Sequence, residues 1–299
     1  MQTFLAPLER IHAFTEAKES IDRGRFPLHI SGCMDSQKVH FIYGLSQNTS
    51  WKVIVTQNEI KARELMEDYR MFDREVMYFP AKDVIFYSAN VHGNALTVER
   101  LKVLKALMTK KQGTIITTMD AGMEYLPALS VYQKAILTLK ETGVVDLEKL
   151  STQLTDMGYQ RQNQVETPGD YSIRGGILDV FPVTADCPFR IELWGDEIDT
   201  IRSFDVESQR SIERIEVLEI FPASEFIASK QQIKDALAKM AKDEKKVVEK
   251  LRAEKKHEAT NRLQENMKHL REDFETYGNR LGLEAYLAYF DNQDTVFFV

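Results

Sequence analysis

Short apolar runs that suit β-strands alternate with helical stretches between residues 27 and 118 of this 299-residue chain. Four runs resemble buried parallel strands: Leu28–Ile30, Trp51–Val55, Val76–Phe79 and Thr114–Thr118. Between them, apolar residues at three- and four-residue spacings predict helices over Gln57–Met71 and Ala95–Met108. Alternation of this kind is typical of βαβ units, so the sequence predicts an α/β fold built on a parallel sheet.

The segment that follows the first of these runs has the spacing of a phosphate-binding loop but lacks its chemistry. Gly32 and Lys38 are correctly spaced for the pattern Gly, four residues, Gly-Lys-Ser/Thr. Gln37 replaces the second glycine and Val39 replaces the hydroxyl residue that would bind magnesium. Asp35 adds a negative charge where the ligand would be a polyanion. We therefore predict a degenerate loop that binds no nucleotide, with a working ATP site as the alternative.

Beyond residue 126 the pattern changes. Ala135–Lys140 is predicted to be a strand, Leu147–Met157 an amphipathic helix, and β-structure dominates from there to Val217. This order predicts a small α+β domain inserted into the chain. At the end of the chain, Thr295–Val299 has the composition of a buried strand.

Ser224–Tyr277 is helical and heavily charged, with an apolar stripe along a surface rich in lysine and glutamate. Lys242–Lys246 is expected to mark the join between two helices. The basic residues between Lys239 and Lys256 could contact nucleic acid, but acidic residues are interleaved among them, which favours a solvated helix face.

The segment from 190 to 197 is predicted to be a strand that ends in a Gly-Asp turn. Because alternate side chains of a strand share a face, two apolar residues point one way and three other residues the opposite way: Ile191 and Leu193, then Arg190, Glu192 and Trp194. Arginine and large aromatic residues are enriched at protein–protein interfaces. The alternative is that Trp194 is an ordinary buried aromatic and that Arg190 and Glu192 form a solvated pair.

Bulk properties restrict the classes of function. The length favours two or three domains. The net charge of −7 argues against broad nucleic-acid affinity, and no apolar run approaches the roughly 20 residues that span a bilayer. With two cysteines and no basic, apolar leader at Met1–Arg10, a cytoplasmic location without membrane partners is expected. The histidines show no metal-ligand spacing and no catalytic constellation is apparent, so neither a metal, a cofactor nor an enzymatic activity is predicted.

Five segments are similar to the N-terminal, UvrB-like region of the bacterial transcription–repair coupling factors, the Mfd family: Phe79–Asp83, Val98–Leu101, Glu166–Pro182, Pro188–Asp199 and Phe204–Ser211. The resemblance covers essentially the whole chain. It favours this family over UvrB itself for two reasons. UvrB needs a working phosphate loop, and it carries a tyrosine-rich hairpin that has no counterpart between Trp51 and Thr114.

The resemblance implies a degenerate helicase-like, P-loop-type parallel-sheet unit with an inserted α+β domain. Residues 1–126 would form domain 1a, residues 127–218 domain 2 and residues 219–299 domain 1b, the helical segment and strand that pack on domain 1a. Domain 2 would bind UvrA through Arg174, Arg190 and Trp194, the position at which the family often has phenylalanine. The chain would thus be a non-catalytic recruitment module in nucleotide excision repair. RNA polymerase and DNA would be engaged by the remainder of such a protein, an ATP-dependent DNA translocase. The alternative is an ATP-dependent damage-verification helicase subunit of the UvrB type.

Overall fold

The chain has a mixed α/β architecture in the computed structural model, which describes residues 5–82, 92–124, 126–228, 230–277, 286, 288–290 and 295–296. Two compact units are formed, one from Met1–Lys82 and Ala106–Gly122, the other from Asp83–Lys105 and Met123–Val299. Parallel and antiparallel sheets are both present, which confirms the mixed α/β class. The three-domain division at residues 126 and 218 stays a prediction.

After a single 3₁₀ turn at Leu8–Arg10, the described helices are α1 His12–Asp22, α2 Asp35–Leu45, α3 Glu59–Tyr69, α4 His92–Thr109, α5 Met119–Gly122, α6 Leu129–Ala135, α7 Leu147–Asp156, α8 Lys230–Ala253 and α9 His257–Tyr277. The described strands are β1 Trp51–Thr56, β2 Met77–Phe79, β3 Gly113–Thr118, β4 Leu126–Pro127, β5 Leu137–Lys140, β6 Gln160–Arg161, β7 Asp170–Arg174, β8 Ile177–Val180, β9 Phe189–Trp194, β10 Glu197–Phe204, β11 Ser211–Arg214, β12 Val217–Ile220 and β13 Thr295–Val296.

The first unit contains a parallel sheet in the order β1-β3-β2. Its core joins this sheet to α2 and α3 through buried apolar side chains: Val39, Tyr43, Ala62, Met66, Tyr69, Val76, Tyr78 and Ile116. Three of the four predicted parallel strands are therefore confirmed. The fourth was wrong, because Leu28–Ile30 lies in irregular structure with Leu28 and Ile30 exposed. The segment between Pro27 and Gly32 contains two apolar residues, which are too few to form a strand of the sheet. Gly32 then has a φ of +80°.

The middle of the chain forms a six-stranded sheet in the order β11-β10-β9-β8-β7-β6, antiparallel except for the β6–β7 pair. One face of this sheet shares a core with α7 and with the antiparallel pair of β5 and β12. Helix α7 starts where its apolar periodicity predicts, because Asp146 accepts hydrogen bonds from the backbone N–H groups of Glu148 and Lys149. The predicted strand Ala135–Lys140 begins only at Leu137, since Ala135 still belongs to α6.

The charged C-terminal segment forms the helices α8 and α9, which contact each other. The predicted join at Lys242–Lys246 is wrong, because α8 continues to Ala253. The charged residues of that run are acceptable helix formers, and Lys246 pairs with Asp243 one turn earlier at 2.9 Å. The chain leaves the helix instead near Lys255, whose φ is +57°.

The predicted terminal strand Thr295–Val299 is present at Thr295–Val296, which pairs antiparallel with Leu126–Pro127. The rest of the predicted strand lies outside the described residues.

Candidate protein-docking site

The six-stranded sheet has one apolar and one polar face, and the strand register determines which side chains share each. Leu178 and Ile191 are paired across β8 and β9 and are fully buried on the core side. On the opposite side, Asp179 pairs with Arg190. We call this side the polar face and define it by Arg174, Asp179, Arg190, Glu192 and Trp194.

Two arginines of the polar face share one buried carboxylate. Arg190 donates from Nε to Asp179 Oδ1 at 2.7 Å and from Nη2 to Oδ2 at 2.9 Å. Arg174 donates from Nη2 to Asp179 Oδ2 at 2.6 Å. Asp179 itself is only 1% exposed, whereas the Arg174 side chain is 50% exposed. One carboxylate between two guanidinium groups leaves a net charge of about +1 on this part of the face.

Two further contacts restrain the side chain of Arg190. Its Nη2 also donates to Gln209 Oε1 at 3.0 Å, and its guanidinium lies 4.6 Å from the centroid of the Phe204 ring. The hydrogen bonds to Asp179 raise the pKa of Arg190 above its ordinary value, because they stabilise the charged guanidinium group. We call Arg174, Asp179, Arg190 and Gln209 the arginine cluster.

The two hairpin turns bring Arg174 and Trp194 to the same end of the sheet. Arg174 is followed by Gly175, with a φ of +60°, and Trp194 by Gly195, with a φ of +68°. The hairpins are adjacent because Leu193 N donates to Gly176 O at 2.8 Å. A Cβ atom on Gly176 would lie 3.1 Å from the Leu193 carbonyl oxygen, so this close approach favours glycine.

Trp194 is 86% exposed. The alternative of an ordinary buried aromatic is therefore wrong. Arg190 and Glu192 do not form the solvated pair of that alternative either, since Arg190 binds Asp179 and Glu192 accepts a hydrogen bond from Thr200 Oγ1 at 3.1 Å. An exposed indole at the same end of a sheet as an exposed arginine is an arrangement typical of a protein-docking surface.

Sequence reasoning placed Arg190 and Trp194 on one face but missed Asp179 and Gln209. Asp179 stands in the otherwise apolar strand Ile177–Val180. A buried carboxylate is costly without a cationic partner, so this position carried a signal that an arginine lies opposite it. No comparable signal marks Gln209.

In the first unit, the residues of the degenerate phosphate loop make contacts of their own. Gln37 Oε1 accepts a hydrogen bond from Met34 N at 3.3 Å, and Val39 is buried in the core. Lys38 Nζ pairs with Asp35 Oδ1 at 2.7 Å, which lowers the pKa of that carboxyl. The lysine that would reach a phosphate in a working loop thus forms an ion pair with Asp35.

A cleft beside β1 includes this lysine. Its charged lining consists of two lysines and three carboxylates: Lys38, Lys61, Asp35, Glu64 and Asp68. Lys61 is paired with Glu64 at 2.7 Å, as Lys38 is with Asp35. The lining therefore has a formal charge of about −1, which does not suit a polyanionic ligand.

Several of the basic residues between Lys239 and Lys256 also form ion pairs with acidic side chains or hydrogen bonds with backbone groups. Lys246 pairs with Asp243 at 2.9 Å, and Lys256 pairs with Glu254 at 2.7 Å.

Among the residues that the structure describes, no helix combines the length and apolarity needed to cross a bilayer. Within the same ranges, no group of three His, Cys, Asp or Glu residues is arranged to hold a metal ion.

Comparison with known proteins relates the chain to a family. Residues 137–226, which contain the whole polar face, match the family described as UvrB interaction domain. The transcription-repair-coupling factor of Bacillus subtilis (strain 168) is 30% identical over 264 residues, 87% of this chain and 22% of that protein. The transcription-repair-coupling factor of Staphylococcus aureus (strain bovine RF122 / ET3-1) is 34% identical over 208 residues, 69% of this chain and 18% of that protein. The chain thus spans about a fifth of the length of these curated relatives. The chain is thus similar to the transcription-repair-coupling factors, as the resemblance predicted, and its residues 137–226 match the UvrB interaction domain family.

Proposed function

We propose that this chain is a non-catalytic recruitment module of transcription-coupled nucleotide excision repair, and that it binds UvrA through the polar face of its middle sheet. The observation that carries the proposal is the exposure of Trp194 and Arg174 at one end of the UvrB interaction domain. Arg190 completes the proposed contact.

The chemistry of these residues suits an acidic partner surface with an apolar recess. Guanidinium groups make planar, bidentate contacts with carboxylates, and the arginine cluster has a net positive charge. Trp194 supplies a large apolar area next to this charge. Anchors of this kind each contribute about 2 kcal/mol or more to binding when they become buried at an interface.

Lack of ATP binding is part of the proposal. It is supported by Gln37 and Val39 in place of glycine and a hydroxyl residue, and by the pairing of Lys38 with Asp35. The proposal also includes the description of the first unit as a degenerate helicase-like relic, and the division into domains 1a, 2 and 1b at residues 126 and 218. A UvrB-type helicase subunit would require a functioning nucleotide site.

RNA polymerase and DNA would be bound by regions that correspond to the rest of the longer relatives, and ATP would drive those regions. The cytoplasm is the proposed location, because transcription and repair of bacterial DNA occur there. The two cysteines, Cys33 and Cys187, are free thiols, which accords with a reducing compartment.

Calorimetric titration of the chain with purified UvrA tests the proposal. We expect saturable binding by the wild type and at least about 30-fold weaker binding by the Arg174→Ala/Arg190→Ala double variant, a loss of about 2 kcal/mol. The control is Arg23→Ala/Arg70→Ala, which removes two arginines whose partners, Glu19 and Glu67, lie one turn away on exposed helix surfaces. Wild-type affinity in the first double variant would reject the assigned surface.

A further inference from the structure

We propose that Asp179 is a positioning residue for docking: it holds the guanidinium groups of Arg174 and Arg190 in the orientation in which the partner receives them. This inference rests on the proposed function, since it specifies how the same surface works. Asp179 is 1% exposed, so it would act through the two arginines and not by touching the partner.

The geometry of the arginine cluster supports this role. Both oxygens of Asp179 accept hydrogen bonds, from Nε and Nη2 of Arg190 and from Nη2 of Arg174. Among the described residues, Nη1 of Arg190 and both Nε and Nη1 of Arg174 have no hydrogen-bond partner. The carboxylate thus fixes one edge of each guanidinium group and leaves other N–H donors available for a visiting carboxylate.

Fixing these groups in advance favours binding. Arginine has many rotamers, and an arginine that is free before docking loses conformational entropy when it is immobilised. Arg190 is restrained additionally by Gln209 and by the Phe204 ring. Arg174 has no second restraint of this kind among the described residues, so its order depends mainly on Asp179.

The sign of the expected effect separates positioning from simple charge attraction. Replacing Asp179 by asparagine removes a negative charge and raises the net charge of the arginine cluster from about +1 to about +2. If charge alone governed docking to an acidic partner, this variant would bind more tightly. If Asp179 positions the arginines, it binds more weakly.

The test is a calorimetric titration of UvrA with Asp179→Asn, for which we expect about tenfold weaker binding than for wild type. The matched control is Asp170→Asn, a buried carboxylate in the same sheet whose Oδ2 accepts hydrogen bonds from the N–H and hydroxyl of Thr167 and from no arginine among the described residues. The control should retain wild-type affinity. Thermal unfolding of both variants shows whether either has lost its fold.

A double-mutant cycle distinguishes positioning of the arginines by Asp179 from a merely structural role of Asp179. In the Arg174→Ala/Arg190→Ala background, Asp179→Asn should cause no further loss of affinity, because nothing remains to be positioned. Additive losses would overturn the inference.

Should Asp179→Asn fail to fold, the Gln209→Ala variant replaces it in the test, since this substitution removes a restraint on Arg190 while leaving the carboxylate of Asp179 in place. We expect a loss of roughly two- to threefold, and unchanged affinity would count against positioning.

The outcomes distinguish this inference from the proposed function. Wild-type binding to UvrA with unchanged or tighter binding by Asp179→Asn overturns the inference alone. Absence of UvrA binding by the wild type overturns both.

Discussion

At the scale of single residues, the three predicted docking side chains have different environments. Trp194 projects almost entirely into solvent, Arg174 is half exposed, and the Arg190 side chain is only 20% exposed and is fixed by Asp179, Gln209 and Phe204. Trp194 is therefore the side chain whose removal should affect binding with least effect on the fold.

Replacing Trp194 by alanine should weaken UvrA binding about 30-fold, or about 2 kcal/mol, because an exposed indole gains its contacts only in the complex. The unfolding temperature should stay within about 1 °C of wild type, since a substitution at an exposed site changes stability little. Trp194→Phe should retain most of the affinity. Calorimetry and thermal unfolding of the same samples measure both effects, and a large loss of stability without loss of binding would contradict the assigned role.

At the scale of elements, the junction between α7 and β6, an edge strand of the six-stranded sheet, is closely packed. Helix α7 ends through Gly158, whose φ is +93°. A Cβ atom added there would lie 2.7 Å from Ser224 Cβ and 3.1 Å from Ser224 N. The position thus requires glycine both for its backbone conformation and for its close neighbours.

Gly158→Ala should lower the free energy of unfolding by about 1–3 kcal/mol, through backbone strain and steric overlap together. Gly24→Ala is the matched control: Gly24 has a positive φ of +66°, but no atom of a residue other than its immediate chain neighbours lies within 4 Å of the position that the added methyl group would occupy. Its loss should be smaller, since only the strain applies. Urea denaturation measures the free energy of unfolding of both variants. Equal losses of stability would show that steric overlap with Ser224 does not contribute to the destabilisation.

Only part of the structure of these elements could be predicted from the sequence. Alternation predicted the two faces of the strand from 190 to 194, because that pattern is local. The apolar neighbours of Asp179 indicate that it needs a cationic partner, but the identity of its partners, Arg174 and Arg190, depends on the register of three strands, which no local pattern contains. Local reasoning was wrong at Leu28–Ile30, where apolar residues found no place in a sheet. It was wrong again at Lys242–Lys246, where charge density does not interrupt a helix that lacks glycine and proline.

At the scale of the whole molecule, one unit contains a three-stranded parallel sheet, whereas the other contains the six-stranded sheet whose polar face is the proposed docking surface. Lys38 and Lys61 in the cleft of the first unit each form an ion pair with a neighbouring carboxylate. These ion pairs support the proposal that this chain binds no nucleotide.

A titration with a fluorescent ATP analogue and magnesium should give no saturable signal up to millimolar nucleotide, because the loop lacks the second glycine and the magnesium ligand. Lys38→Ala should leave both this result and UvrA affinity unchanged. Saturable, magnesium-dependent binding that Lys38→Ala abolishes would favour the UvrB-type helicase subunit instead.

The most direct test of the central claim is hydrogen–deuterium exchange of the chain with and without UvrA, since it reports binding and its location together. We predict that UvrA slows exchange in the two hairpin turns around Arg174–Ile177 and Trp194–Glu197. Unchanged exchange at both turns with protection elsewhere, for instance between Lys239 and Lys256, would contradict the claim that the polar face of the middle sheet receives the partner.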